Sequence, residues 1–141
     1  MFEFLKILSF IKNFFSRILE KHEFNLMVYD FITDRLRSIR QDLIIQGNPD
    51  VTISRNILEI STKFHLYANY KLASQPTPEQ GFNKDSNFKQ LLECLKTWLS
   101  FTNTDELDAQ EAIGIYLMLN LGSKGTIVLL QNVIRKSYYI F

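Results

Sequence analysis

Glycine, proline and cysteine are scarce in this chain of 141 residues, which contains five, three and one of them. An all-β domain draws heavily on glycine and proline for its turns, so their scarcity argues against that class. The single cysteine, Cys94, excludes an internal disulfide framework and fits a reducing intracellular compartment. Two histidines and one cysteine show no metal-ligand spacing, so neither a metal site nor another cofactor is expected.

An excess of either charge is also missing, because 16 basic and 15 acidic residues leave a net charge of +1. Proteins that grip nucleic acid through many phosphates usually carry a basic surplus. Any contact with RNA is therefore expected through a local patch or through a partner protein. A small basic patch near the C-terminus, formed by Lys124, Arg135 and Lys136, is the candidate in this chain.

The apolar N-terminal segment from Met1 to Leu19 contains no uncharged run of the roughly 20 residues that a membrane span requires. No small-residue cleavage site follows it, so a signal peptide is not indicated. Polar residues recur every three or four positions, which predicts an amphipathic first helix over Glu3–Lys21. The alternative is an interfacial helix that anchors a peripheral membrane protein.

Apolar residues follow helical spacing along nearly the whole chain, which predicts a single all-α domain over residues 1–141 with five to six helices. Consecutive long helices with broad apolar faces favour stacked antiparallel hairpins, as in an α-solenoid of the TPR-like kind. A loop is expected near residues 74–84, and Thr126–Leu130 could alternatively form a strand. The predicted helices are Glu3–Lys21, Phe24–Gln46, a third capped by Asp50 and ending near Ala73, a fourth capped by Asp85 or Ser86 and ending near Phe101, Asp105–Leu121 and Thr126–Tyr138.

The second predicted helix contains the most informative stretch, Tyr29–Asp42, in which six of fourteen residues are charged. A helical wheel places Val28, Phe31, Ile32, Leu36, Ile39 and Leu43 on the buried face. It places Arg35 among them, where an arginine must find an acceptor, and it places Thr33, Arg37 and Gln41 on the opposite face. We therefore predict that Arg35, Ile39 and Asp42 belong to a structural core and ion-pair set. We predict that Asp34, Arg37, Arg40 and Gln41 contact a partner.

Two interpretations of this stretch compete. In the first, the charges form a structural ion-pair network on a solvated helix face. In the second, Arg37, Arg40 and their neighbours form a docking surface for another protein. No nucleophile, base and orienting group converge in the sequence, so neither an enzyme nor a small-molecule substrate is expected.

The order of residues in this stretch resembles the signature of the SAC-three/GANP family. In that family a helix reads Asp-Arg-x-Arg-small-Ile-Arg-Gln-Asp, followed by a hydrophobic pair and Gln. Here the same run extends from Asp34 to Asp42 and is followed by Ile44-Ile45-Gln46. The family's next helix carries a Phe-His pair, which Phe64-His65 matches. The resemblance covers residues 5 to 135, although the second helix is its most specific part.

The resemblance implies a non-enzymatic scaffold that couples transcription to nuclear mRNA export within the TREX-two complex. It further implies a helical-repeat region that leads into a PCI-type winged helix. The implied partners are a PCI-domain subunit and a small acidic DSS-type subunit at nuclear pores, with RNA bound through the complex. The winged helix is expected to be absent, because the sequence ends where it should begin. The alternative is a PCI-type paralogue in a splicing complex or a proteasome-lid-like complex.

Overall fold

A computed structural model of the chain describes residues 24–45, 47, 50–73, 81–101 and 107–121, together with Lys6, Ser9, Lys12, Asn13, Ser16 and Arg17. The chain divides into two compact units, residues 1–101 and 102–141. Within the described ranges from residue 24 onward, the first unit contains three long helices and the signature stretch, and the second contains a shorter helix.

Helix α1 spans Leu26–Ile45 and carries the signature stretch. Asn25 caps its start, because the side-chain oxygen of Asn25 accepts a hydrogen bond from the backbone N–H of Val28 at 3.1 Å. Gly47 follows its end with a φ of 69°, a conformation that glycine adopts without a steric penalty. The backbone N–H of Gly47 donates to the carbonyl of Ile44 at 3.2 Å. The sequence Gly47-Asn48-Pro49 predicts a left-handed stop at this glycine, because proline cannot continue the helix, and the φ of Gly47 confirms it.

Helix α2 spans Val51–Ala73, and helix α3 spans Lys84–Phe101. Asp50 caps α2 as predicted, since its carboxylate accepts a hydrogen bond from the backbone N–H of Thr52 at 2.8 Å. The predicted cap of α3 was wrong. Asn83 caps that helix through a 2.9 Å bond from the backbone N–H of Ser86, and Asp85 lies within the first turn.

Helix α2 packs against both α1 and α3, and both neighbours run antiparallel to it. The guanidinium of Arg55, near the start of α2, donates to the carbonyl of Phe101 at the end of α3, at 3.1 Å. His65, further along α2, meets Asn87 at the start of α3. Tyr29 at the start of α1 stacks on Phe64 of α2, with ring centroids 5.8 Å apart. The three helices therefore form two antiparallel pairs that share α2.

The core of this unit combines aliphatic and aromatic side chains from all three helices. Phe24 packs edge-on against Phe64 at 6.1 Å and against Tyr67 at 5.2 Å. Phe24, two residues before α1, is thus packed against α2. The large, fully buried apolar side chains of the unit are Leu36, Ile57, Phe64, Leu72, Leu91, Leu95 and Trp98.

The second unit contributes helix α4, which spans Leu107–Leu119. Ala109, Ala112 and Ile115 are buried at helical spacing, whereas Met118 is exposed. After the helix, the side-chain amide of Asn120 donates to the carbonyl of Tyr116 at 2.9 Å. The predicted fifth helix is therefore present, and it ends at Leu119, two residues before the predicted end at Leu121.

The predicted all-α class is confirmed, because the described residues form four complete helices and no strand. The six described positions between Lys6 and Arg17 are helical and exposed. Most of the predicted helix Glu3–Lys21, most of the loop near 74–84, the segment Thr126–Tyr138 and the basic patch of Lys124, Arg135 and Lys136 lie outside the described residues. Within the described part, none of the helices combines the length and hydropathy that a bilayer crossing demands.

Candidate functional site: a groove beside the signature helix

The buried stripe of α1 is centred on Leu36, which is fully buried. At 100° per residue, Arg40 lies about 40° from Leu36 and Arg35 lies about 100° from it. The predicted burial of Arg35 is therefore wrong. The prediction counted Phe31 as a core residue, which placed the buried face of the helix too close to Arg35. In the structure Phe31 is 45% exposed. The buried residues of α1 are Tyr29, Ile32, Thr33, Leu36, Ile39 and Leu43.

Arg35 lies on the solvent side, with its guanidinium carbon 5.5 Å from the centroid of the Phe31 ring. Arg35 therefore makes a cation–π contact with Phe31 on the surface, and its guanidinium does not require a buried hydrogen-bond acceptor. Thr33 was predicted on the outer face and is instead buried. Ile39 is 4% exposed and belongs to the core, whereas Asp42 is exposed.

Arg40 takes the inner position that the sequence had assigned to Arg35. Its side chain is half-buried, and its Nη1 is inaccessible to solvent and has no hydrogen-bond partner among the described residues. The Arg40 charge contributes to lowering the pKa of His65 and acts to lower that of Cys94. The guanidinium therefore projects its positive charge toward the interior of the bundle.

A groove of about 610 Å³ opens beside Arg40, between α1 and α3, with α2 beneath it. Three of the four residues predicted to contact a partner line it together, namely Arg37, Arg40 and Gln41; Asp34 does not. Helix α2 contributes Ser54 and Leu58 to the lining, and α3 contributes Ser86, Gln90, Glu93, Cys94, Thr97 and Phe101. The volume falls within the range typical of ligand-binding clefts.

Two further residues that line the groove have, like Arg40, a buried polar atom without a described hydrogen-bond partner. Ser54 is 2% exposed, and its hydroxyl has no hydrogen-bond partner in the described part of the chain. The side-chain oxygen of Gln90 is likewise buried without a partner there. A buried polar group that lacks a hydrogen bond costs about 1–3 kcal/mol. Each of the three helices thus contributes to the lining of the groove one residue with an unsatisfied buried polar atom.

Among the described residues, no structural ion-pair network accounts for the charges of α1. Asp34, Arg35, Arg37 and Asp42 are exposed and form no ion pair with any described residue. The hydroxyl of Ser38 donates to the backbone carbonyl of Asp34 at 2.9 Å. The described ion pair lies on another helix, where Lys63 meets Glu59 at 2.8 Å. The charges of α1 therefore form a solvated face that is open to contact.

A second polar cluster, formed by Tyr29, His65 and Asn87, is enclosed in the core. The side-chain oxygen of Asn87 accepts hydrogen bonds from the Tyr29 hydroxyl at 3.1 Å and from Nδ1 of His65 at 2.8 Å. The Asn87 amide donates to the backbone carbonyl of His65 at 2.9 Å. Because this oxygen can only accept, His65 carries its proton on Nδ1. The cluster ties the three helices together.

Burial dominates the electrostatics of the titratable core groups. It lowers the pKa of His65 from 6.5 to about 4, an effect that the Asn87 bond opposes in part. Burial likewise raises the pKa of Tyr29, and that of the Cys94 thiol to about 11. The thiol is therefore protonated at neutral pH and is a poor nucleophile or metal ligand. No group of three or more potential metal-binding side chains occurs in the described segments.

Sequence reasoning missed the contributions of α2 and α3 to the groove, including Ser54, Gln90 and Glu93. Their helical positions were predicted, but no local pattern marked them. Only the pairing of α1 and α3 across α2 brings them near Arg40.

The described residues thus define an all-helical module with a groove lined by two arginines. A model of the SAC3/GANP family matches residues 7–138, and the chain therefore belongs to the SAC3/GANP family, a family of scaffolds associated with mRNA export. This membership confirms the resemblance noted for the stretch Asp34–Asp42. No curated protein matches the chain significantly. The same holds for the solved structures.

Proposed function

We propose that the chain is a non-enzymatic scaffold subunit that couples transcription to nuclear mRNA export in a complex resembling TREX-two. The observation that carries this proposal is the position of the signature residues. Leu36 and Ile39 hold α1 in the core, while Arg37, Arg40 and Gln41 line the groove. A signature needed only for folding would not require arginine and glutamine at a groove.

The chemistry of the groove favours binding over catalysis. Cys94 is buried and its raised pKa leaves the thiol protonated. The hydroxyl of Ser54 has no hydrogen bond to a base among the described residues. Glu93 is exposed to solvent. An activated nucleophile needs a base within hydrogen-bond reach, and the described groove residues offer no such pair.

The partners follow from the family and form part of the proposal. They are a PCI-domain subunit and a small acidic DSS-type subunit, with RNA contacted through the assembled complex. The corresponding location is the nucleus and its pores. The overall charge of +1 is consistent with a chain that relies on its partners for most nucleic-acid contact.

Purification of the tagged chain from its native cell, followed by mass spectrometry, tests this function. Recovery of a PCI-domain protein together with a small acidic subunit and mRNA-export factors is expected. Recovery of proteasome-lid or splicing subunits in their place would overturn the assignment to mRNA export. Labelling of the chain in the same cells should place it in the nucleus.

A further inference from the structure

We infer that the groove between α1 and α3 binds a short segment of a partner protein that presents one carboxylate beside a large apolar side chain. This inference rests on the scaffold function proposed above, because a scaffold gives reason to expect a protein segment in preference to a small anion. The binding chemistry itself follows from the groove residues.

The carboxylate is indicated by Arg40. Its buried Nη1 donates to no described acceptor, and an unpaired buried charge is among the least favourable states of a side chain. A carboxylate matches the planar fork of donors on a guanidinium and can form paired hydrogen bonds with it. Arg37, one turn earlier on the same side of α1, also lines the groove and adds a second positive charge.

The oxygen of Gln90 and the hydroxyl of Ser54 indicate that the occupant supplies backbone groups as well. Gln90 presents an unpartnered acceptor, which a peptide N–H can satisfy. The Ser54 hydroxyl can donate to a peptide carbonyl. A phosphate ion at neutral pH has only one or two hydroxyl donors beside its anionic oxygens and offers no repeating series of donors and acceptors. An extended peptide has donors and acceptors in alternation.

An apolar side chain next to the carboxylate is indicated by the remaining lining. Leu43, Leu58 and Phe101 border the groove, and Ile44 continues it onto the surface with 78% of its side chain exposed. An exposed isoleucine beside a concave surface is a suitable anchor for a partner's leucine or aromatic ring.

Glu93 restricts the occupant to a single negative charge. Its exposed carboxylate lines the groove opposite the arginines and forms no ion pair with a described residue. A run of several acidic residues would bring like charges against Glu93, which is unfavourable across an interface. The groove therefore selects a short mixed motif over a strongly acidic chain.

Selection of a displayed random peptide library on the immobilised full chain tests this inference. Enriched peptides should carry one Asp or Glu close to a large apolar residue. Their dissociation constants are then measured by fluorescence anisotropy against Arg40→Gln, Glu93→Gln and Arg35→Gln chains. Arg35 provides the matched control, because it lies on the same helix but does not line the groove.

Arg40→Gln should weaken binding at least about tenfold, whereas Arg35→Gln should change it by no more than about twofold. Glu93→Gln should admit peptides with several acidic residues. Equal losses from Arg40→Gln and Arg35→Gln would overturn the inference, and so would enrichment of peptides without an acidic residue. A selection that enriches nothing, or binding that inorganic phosphate abolishes, would also contradict it. Circular dichroism of each variant establishes that it is folded.

The two proposals fail in different ways. If no peptide binds through Arg40 but the export partners are still recovered from cells, the peptide-binding role of the groove is wrong and the export function stands. If peptides bind through Arg40 but proteasome-lid or splicing subunits are recovered from cells, the peptide-binding role of the groove stands and the export function is wrong.

Discussion

Asn87 fixes the tautomer of His65 deep in the core, with 2.8 Å between the Asn87 side-chain oxygen and the protonated Nδ1 of His65. The same oxygen accepts the Tyr29 hydroxyl, and the Asn87 amide bonds the His65 carbonyl. One side chain of α3 thus satisfies three groups on the other two helices. Phe64 and His65 therefore lie inside the fold, while Arg37 and Arg40 of the signature line the groove.

Substitution of Asn87 by alanine should destabilise the chain by about 3 kcal/mol, since it leaves the buried Tyr29 hydroxyl and the Nδ1–H of His65 without the hydrogen bonds that Asn87 provides. Urea denaturation followed by circular dichroism measures the change. Asn69→Ala is the matched control, because the side-chain oxygen of Asn69 has no described hydrogen-bond partner. Equal effects of the two substitutions would contradict the role assigned to Asn87.

The stability of the fold should depend on pH between about 4 and 6.5 because of His65. Burial lowers its pKa in the folded chain to about 4, so the unfolded chain binds its proton first as the pH falls. The contribution is fully present above pH 6.5 and is lost on the way down to pH 4. Its upper limit is on the order of 3 kcal/mol.

Denaturation curves across that pH range measure the His65 effect. His65→Asn keeps an N–H donor near the position of Nδ1 but does not titrate in this range. The slope of stability against pH should be smaller in this variant than in the wild-type chain. An unchanged slope would assign the pH dependence to other groups.

Two isoleucines of α1 should differ sharply in their effect on stability. Ile39 is 4% exposed and Ile44 is 78% exposed. Ile39→Ala removes core packing and should cost about 2–5 kcal/mol, whereas Ile44→Ala should change stability by less than about 0.5 kcal/mol. Thermal and urea unfolding measure both. Ile44→Ala should still weaken partner binding, which separates its role from that of Ile39.

Replacement of Arg40 by methionine should leave the unfolding free energy within about 1 kcal/mol of wild type, or raise it. The charge that is removed has no described ion-pair partner, and methionine retains most of the aliphatic stem. Urea titration measures the difference, with Arg35→Met as the control. A loss of about 3–5 kcal/mol would instead indicate a buried ion pair.

Cys94 should resist alkylation in the folded chain, because its thiol is buried and its pKa lies near 11. Iodoacetamide labelling at mildly alkaline pH should become fast only after denaturant is added. As Cys94 is the sole cysteine, total labelling reports on this site alone. Rapid labelling without denaturant would contradict this prediction, because it would show that Cys94 on α3 becomes exposed readily in the folded chain.

Features fixed by neighbouring residues could be predicted from the sequence. The all-α class, the left-handed stop at Gly47 and the cap at Asp50 depend on local backbone chemistry. Asn83 was missed because several nearby polar residues could have served as the cap equally well. The family signature was recognised from the order of residues in one helix.

Features that depend on which helix face meets a neighbour were predicted less well. Phe31 is apolar but lies outward beside Arg35, so a wheel that counted it as core exchanged the roles of Arg35 and Arg40. The groove requires Ser54 and Gln90 from two other helices, and their proximity to Arg40 arises only when the helices pack. Periodicity within one helix contains no information on that pairing.

The most direct test of the scaffold account is a quantitative comparison of partner recovery from cells that express tagged wild-type, Arg37→Gln/Arg40→Gln or Arg35→Gln chains at equal levels. The Arg37/Arg40 variant should lose most of the PCI-domain partner while its melting temperature stays within a few degrees of wild type. The Arg35 variant should retain that partner. Full recovery with the Arg37/Arg40 variant, or equal loss with both variants, would contradict the claim that the signature helix binds partners through its groove.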